Sequence, residues 1–439
     1  MNNTFDVVII GAGAVGCAVA RELSRYKLKI AVLEKESDVA AGTSGRNSAV
    51  VHAGFNNKPG SLMAKLCVEG NLGFEKVCSE LDVPYKKTGK LIVAFDEEDI
   101  NGIERLLETG RKNNAPGLKM IGQEEVRRLE PHVGGIAAML SPNTAITNPF
   151  LYTVALAENA AQNGVSFFLD TEVTGISHKE GRFRVRAGGK YFYSRYIINS
   201  AGLYSDKIST MAGDNGYKIY PCRGQYYILD KRAGDYLKMP VYPVPKPGIG
   251  GLGVHLTPTV EGNILIGPSA EYIRTKSDYS ATQDVMKQLF KEARELLPQI
   301  SMKHVIRNYS GIRSKLTAPK VGGFGDFIIR ESDKVPCLLQ LIGIESPGLT
   351  SSVPIAKMIR DIIAGKEDLE EKPDFIGERK GIVQFRDLPD EEKDRLIKDC
   401  PDYGEIICRC EQITRKEIKD AIENPLGVRT LAGIKYRAR

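Results

Sequence analysis

Three glycines spaced as Gly11-Ala-Gly13-Ala-Val-Gly16, directly after the apolar run Asp6-Val-Val-Ile-Ile10, constrain this chain more than any other feature. A short β-branched run without polar alternation reads as a strand buried on both faces, as in a parallel sheet. Each glycine then has a mechanical task. Gly11 permits a tight turn, Gly13 lets the backbone approach a pyrophosphate, and Gly16 lets the following helix pack closely on the strand. That helix, predicted from Cys17 to about Ser24, aims its N-terminus at the phosphates. A second strand, Lys29-Ile-Ala-Val-Leu33, delivers Glu34, at the ~20-residue distance where an acidic side chain meets a ribose 2′-hydroxyl. Strand, turn, helix, strand and acid in register predict a Rossmann-like dinucleotide site, which the glycines alone would not.

At 439 residues the chain exceeds the length at which one hydrophobic core stops growing, roughly 250 to 300 residues, so two or three domains are expected. A hydrophobic content of 42% with 26% charged residues excludes a disordered or fibrous chain. No apolar run approaches the ~18 residues of a membrane-spanning helix, and the first strand begins without a signal peptide. The expected location is the cytoplasm, with peripheral membrane contact left open. A formal charge of +6, interspersed along the sequence, gives no case for nucleic acid and agrees with an anionic substrate.

The strand-to-glycine pattern returns at Tyr196-Ile-Ile-Asn-Ser-Ala201-Gly202 and at Cys337-Leu-Leu-Gln-Leu-Ile-Gly343, so the first sheet draws on distant segments. Helices are predicted over 61–81, 100–113, 152–163 and 352–364, and strands over 89–95, 165–169 and 183–186. The helix at Ser352 brings a second helix N-terminus toward the cofactor. Residues 215–335, rich in tyrosine, β-branched residues and Pro/Gly turns, read as an antiparallel sheet. The expected class is α/β. A dinucleotide-binding domain from 1–90, 145–215 and 336–365 is interleaved with an α+β antiparallel-sheet substrate domain from 91–144 and 216–335. Residues 366–439 read as a charged linker with a short solvated helix, then a partial C-terminal module.

Eight cysteines in a chain expected in the cytoplasm argue against a disulfide framework, and most read as packed apolar residues. Cys408 and Cys410 differ, because they precede a helix with Thr414 as cap and Glu417 at the capping-box position. Two thiols supply half of the four that an iron–sulfur cluster needs.

The motifs together resemble the FAD-dependent oxidoreductases of the D-amino-acid-oxidase superfamily. The resemblance covers residues 5 to about 365 and rests on the glycine turn, Val-Leu-Glu34-Lys35, Ser44-Gly-Arg-Asn47-Ser48, His52-Ala-Gly54, Lys58-Pro-Gly-Ser-Leu, Arg223-Gly-Gln-Tyr and Ser346-Pro-Gly-Leu-Thr350. It implies FAD as cofactor. The pyrophosphate is expected over Gly11, Gly13 and Gly16, the adenosine ribose on Glu34 and Lys35, and the flavin near Thr43, Ser44, Asn47 and Ser48. Val173, Ala201 and Gly202 are further cofactor candidates, and Gly343, Gly348, Leu349 and Thr350 are expected to close the far side of the flavin.

Oxidising an alcohol by hydride transfer to a flavin requires a base at the hydroxyl. Among five histidines, His52 lies in the segment that the resemblance places at the flavin, where related enzymes use a histidine, and a structural or flavin-attached role stays open. Arg313, in Tyr309-Ser-Gly-Ile-Arg313, matches the arginine that relatives bring to an anionic substrate, and a guanidinium suits a carboxylate or phosphate. Arg223, His255 and Tyr242 are further substrate-site candidates.

Within the superfamily two branches compete. Leu252, where some glycerol-3-phosphate oxidases carry a lysine, and Gly253-Val-His255-Leu-Thr-Pro resemble the L-2-hydroxyglutarate dehydrogenases. Leu91-Ile-Val-Ala-Phe95 and Asp326-Phe-Ile-Ile-Arg330 resemble the glycerol-3-phosphate branch, toward which the balance leans. Cys408-Arg-Cys410 resembles the start of a bacterioferritin-associated-ferredoxin-like [2Fe–2S] module, whose second cysteine pair this sequence lacks. The resemblance implies electron delivery to an acceptor protein or quinone. A non-catalytic FAD-binding electron-transfer subunit is the alternative of another class.

Overall fold

Each residue of the opening strand faces a different core from its neighbour, which explains the absence of polar alternation. In a computed structural model that describes residues 3–245 and 253–438, the strand Val7–Ile10 pairs in parallel with Ile30–Leu33 and Tyr196–Asn199. Val7, Ile9, Ile30 and Val32 enter one core with the helices Ala14–Leu23, Pro149–Gln162 and Ser352–Ala364. Val8, Ile10, Ala31 and Leu33 enter another beneath an antiparallel sheet of Val173–Lys179, Arg182–Ala187 and Lys190–Ser194. Period-two side chains with both faces covered thus turn four consecutive apolar residues into a central strand.

Among the described residues the first sheet has six strands, in the order Ile328–Glu331, Leu338–Ile342, Tyr196–Asn199, Val7–Ile10, Ile30–Leu33 and Ser166–Phe168. The first of these corrects the sequence reading, which put residues 216–335 in the substrate sheet. Ile328–Glu331 instead folds back antiparallel on Leu338–Ile342 as an edge strand. The turn between them is fastened by Ser332, whose hydroxyl accepts from Lys334 N and Val335 N.

Among the described residues the second sheet has nine strands and is mostly antiparallel. Its long pair, Tyr220–Leu229 with Val305–Lys315, continues through Ile264–Gly267, His255–Pro258 and Val241–Pro243 to Lys90–Ala94. The amphipathic helix Gln283–Leu296 covers one face through Met286, Leu289, Ala293 and Leu296.

Helix starts follow local caps rather than the first apolar residue. The first helix begins at Ala14, not Cys17, because extended Gly13 is its N-cap and Gly16 lies inside it. Asn148 caps the helix at Pro149 by accepting from Phe150 N and Leu151 N.

The charged stretch after Gly365 is partly a strap rather than a free linker. Arg379 pairs with Glu158 at 2.6 Å, and the carbonyls of Ile376 and Gly377 accept from Asn159 and Arg21. Beyond it, the helix Asp390–Asp399 buries no residue, and Thr414 and Glu417 form the expected capping box. The last helix, Leu431–Ala438, returns to the first domain, where Arg437 forks onto Asp38 at 2.7 and 2.9 Å. Among the described residues no helix is long and apolar enough to cross a membrane.

Candidate active site

The opening turn builds a cradle in which side chains have no room. Gly11 has φ +104, and a Cβ there would lie 2.7 Å from Ser200 O. A Cβ on Gly16 would lie 2.1 Å from Gly11 O, so close helix–strand contact requires glycine at that position. Gly13 contributes no side-chain cap, and Ser44 Oγ accepts from Ala14 N at 2.9 Å. At the end of the second strand, Glu34 accepts from Ala12 N at 2.7 Å and from Glu36 N at 3.0 Å. Burial raises its pKa, against the pull of those two amides. Helix-terminal amides beside a carboxylate are the donors and acceptor that a pyrophosphate and a ribose need.

From this cradle a cavity of about 420 Å³ runs past Thr43, Ser44, Asn47 and Ser48 to His52, Tyr242, His255 and Arg313, with Gly348, Leu349 and Thr350 on its wall. Lys35, Ala201 and Gly202 border its cradle end. The segment 42–48 is clamped between the two sheets. Thr43 Oγ1 donates to Ile312 O at 2.7 Å, Tyr309 OH donates to Asn47 O at 3.0 Å, and a Cβ on Gly311 would strike Arg46 O at 2.0 Å.

His52 follows the strand Val50–Val51. Its amide donates to Thr350 Oγ1 at 3.0 Å, and its Nε2 lies 3.4 Å from Ser346 Oγ. The ring is half-buried and shows its open edge to the cavity. Burial, then the basic groups of Lys90 and His255, hold its pKa well below 6.5, so it is a neutral imidazole at neutral pH. His255 stacks on Tyr242 with centroids 3.7 Å apart, and burial pushes its pKa down to about 3. Its Nδ1 is 3.0 Å from Gly253 O.

Arg313 donates to Ser269 O at 3.0 Å and to Cys222 Sγ at 3.6 Å and has no carboxylate within ion-pair distance among the described residues, leaving a half-buried charge at the cavity. Arg223 is different, and its placement corrects the sequence reading. Its guanidinium is held by Glu271 at 2.8 Å and Asp278 at 2.9 Å and does not face the cavity. The cause is strand parity: Cys222 opposes Arg313 and Arg223 opposes Ile312, so the two arginines leave opposite faces of the sheet.

Two cofactor candidates stand off the main cavity. Val173, at the start of the three-stranded sheet, packs its side chain into the core and borders a small recess shared with Gly11, Lys35 and Ala201 at the cradle. Gly343, at φ +72, stands where a Cβ would lie 2.3 Å from Leu316 Cδ1, so it serves backbone passage rather than the cavity wall. The turn Gly250-Gly-Leu252 lies outside the described residues. His132, His178 and His304 border neither the cradle cavity nor the one adjoining it. The Sγ atoms of Cys408 and Cys410 are 3.3 Å apart, and no set of three or more metal-ligating side chains occurs among the described residues.

Three contacts have no sequence signal of their own. Ser346 becomes a neighbour of His52 only through tertiary folding. Lys315 and Glu345 form an ion pair at 3.2 Å, with side chains 0% and 1% exposed, behind Arg313. Lys90 heads a strand, where a lysine ordinarily signals an edge, yet it is buried.

A cavity that begins at a nucleotide cradle and ends at a proton acceptor suits a hydride-transferring oxidoreductase. The chain belongs to the family of FAD-dependent oxidoreductases (DAO), whose pattern it matches over residues 6–362. It is 40% identical to the glycerol 3-phosphate dehydrogenase of Caloramator mitchellensis over 99% of this chain and 90% of that one. It is 35% identical to the mitochondrial L-2-hydroxyglutarate dehydrogenase of Caenorhabditis elegans over 81% of this chain and 92% of that one. The FAD-bound L-α-glycerophosphate oxidase of Mycoplasma pneumoniae superposes with a TM-score of 0.80 at 32% identity, covering 85% of this chain and 98% of that chain.

Proposed function

We propose that this chain oxidises sn-glycerol 3-phosphate to dihydroxyacetone phosphate. The observation that carries the reading is the convergence of neutral His52 and of Arg313, which has no ion-pair partner among the described residues, on the cavity that starts at the Gly11–Gly16 cradle. The choice of substrate is supported by 40% identity to a glycerol 3-phosphate dehydrogenase across nearly the whole chain.

The cradle fits FAD. Its positions at Gly11, Gly13 and Gly16 leave no space for side chains, its helix amides suit the pyrophosphate, and Glu34 suits the adenosine ribose. When bound, FAD supplies the two-electron acceptor at flavin N5. His52 takes the proton of the substrate's C2 hydroxyl as the C2 hydride departs. Ser346 steadies that imidazole while Thr350 holds the His52 backbone, and Arg313 binds the phosphate with directional donors. The buried Lys315–Glu345 pair supports the strand that carries Arg313.

Electrons leave the reduced site for an acceptor protein or a quinone, and the enzyme acts in the cytoplasm or at a membrane surface. The 1–89, 145–215 and 328–365 segments carry the cofactor, and the substrate sheet comes from the intervening segments. Oxidation of L-2-hydroxyglutarate is the second reading, supported by the 35% identity to a dehydrogenase of that acid and by the buried His255 at the cavity.

The test is turnover of the purified holoenzyme with an artificial electron acceptor. Stoichiometric dihydroxyacetone phosphate from glycerol 3-phosphate supports the proposal. Turnover of L-2-hydroxyglutarate alone transfers the assignment to the second reading.

A further inference from the structure

Lys90 is 2% exposed, yet among the described residues its ammonium has no carboxylate within ion-pair distance and no hydrogen-bond acceptor. The undescribed residues 246–252 contain no acidic side chain. Its neighbours are rings: Nζ lies 4.2 Å from the centroid of Tyr242 and 4.7 Å from that of Phe55. Ring faces attract a cation but do not replace the hydration that burial removes. Burial accordingly pushes the amine down to about 7. A protein gains little from such a group unless something brings it a negative charge.

The geometry shows where that charge can arrive. Lys90 lines a second cavity of about 450 Å³, which meets the flavin-side cavity at His52, Tyr242, Phe324 and Ser346. The carboxylate that borders this second cavity, Asp326, is already engaged. Its two oxygens accept from Leu62 N and Met63 N, each at 2.9 Å. A ligand with its reacting carbon at His52 and an anionic group one or a few carbons away would therefore meet a free ammonium there.

We propose that Lys90 is a second anion-binding residue of the active site, taking a phosphate or carboxylate oxygen of the substrate in the cavity beside His52. The assignment rests on the reading that His52 faces the reacting carbon. It places a buried ammonium in the second of two confluent spaces, where exposed Lys58 also stands, while Arg313 serves the first, which Lys35 and Arg46 also line. Substrates then sort by where their anionic groups lie relative to the hydroxyl. Either the phosphate of a three-carbon substrate or the distal carboxylate of a 2-hydroxy dicarboxylate supplies the required oxygen.

The experiment compares FAD-loaded wild type, Lys90→Met and Lys90→Arg at matched flavin content and melting temperature. Each is titrated with inorganic phosphate and with glutarate while the flavin absorbance is followed, a readout that needs no turnover. Lys90→Met should weaken at least one anion by about 10- to 100-fold, as expected for one charge-assisted hydrogen bond, and Lys90→Arg should recover most of the loss. Selective loss of phosphate marks a phosphoryl subsite, and selective loss of glutarate marks a carboxylate subsite. Equal affinities in wild type and Lys90→Met, or no binding of either anion to the wild type, overturn the proposal. If Lys90→Met does not retain flavin, Lys90→Gln goes through the same titration. Failure of glycerol 3-phosphate to reduce the flavin would defeat the substrate reading alone and leave the titration to decide Lys90.

Discussion

His52 Nε2 lies 3.4 Å from the hydroxyl of Ser346, a residue 294 positions later in the chain. The contact joins the end of the first nucleotide-binding segment to the turn before the helix Ser352–Ala364. A second tie, His52 N to Thr350 Oγ1 at 3.0 Å, fixes the backbone beneath the ring. His52 is thus tied to the same turn twice, once through its ring and once through its backbone amide.

If the imidazole is the base, His52→Ala should slow substrate-dependent flavin reduction by roughly 10²- to 10⁴-fold while flavin content stays at the wild-type level. Ser346→Ala, which loosens the ring without removing it, should have a smaller effect on the same rate. Rapid-mixing absorbance measures both, and an unchanged rate in His52→Ala removes the residue from this role.

The pH profile has a definite sign. His52 accepts a proton only while neutral, and burial together with Lys90 and His255 keeps its pKa well below 6.5. At saturating substrate the rate of flavin reduction should stay level through neutrality and fall only in acid below the ordinary histidine range. Lys90→Met removes one positive neighbour, so its acid limb should move to higher pH. A wild-type limb at or above the ordinary histidine value would contradict this environment.

Arg313→Met should raise the half-saturating substrate concentration by about 10- to 100-fold, with a smaller effect on kcat. Arg313→Lys should recover only part of the loss, because an ammonium lacks the planar fork. Steady-state kinetics with the preferred substrate decides it, and unchanged saturation in Arg313→Met counts against anion binding there.

The Lys315–Glu345 pair supplies a stability test. Both side chains are buried, and Lys315 also donates to Gly323 O at 2.7 Å. Removing one partner leaves a buried charge alone, at a cost of about 3–5 kcal/mol. Glu345→Gln should therefore lower the melting temperature clearly, and Lys315→Met combined with Glu345→Leu should recover much of it. Strict additivity of the two changes would show that the charges do not depend on each other.

What the sequence shows of this molecule follows from how local each signal is. Gly11, Gly13, Gly16 and Glu34 are legible because turn, helix and strand occupy one short unit whose spacing carries the geometry. The paired arginines are not. Arg223 and Arg313 lie one register step apart on adjacent strands, and a single residue of parity sends one to Glu271 and Asp278 and the other to the cavity. No local pattern states which face of a strand will be lined by a cofactor site. Ile328–Glu331 is misplaced for a related reason, since a short edge strand looks the same whichever sheet it joins. Lys90 escapes notice because its burial depends on Phe55 and Tyr242, which reach it from distant segments.

The most direct test of the central claim is anaerobic mixing of the FAD-loaded enzyme with glycerol 3-phosphate and, separately, with L-2-hydroxyglutarate. Glycerol 3-phosphate should bleach the yellow flavin band fully, and L-2-hydroxyglutarate should do so slowly or not at all. Bleaching by L-2-hydroxyglutarate alone, or by neither compound, would contradict the account.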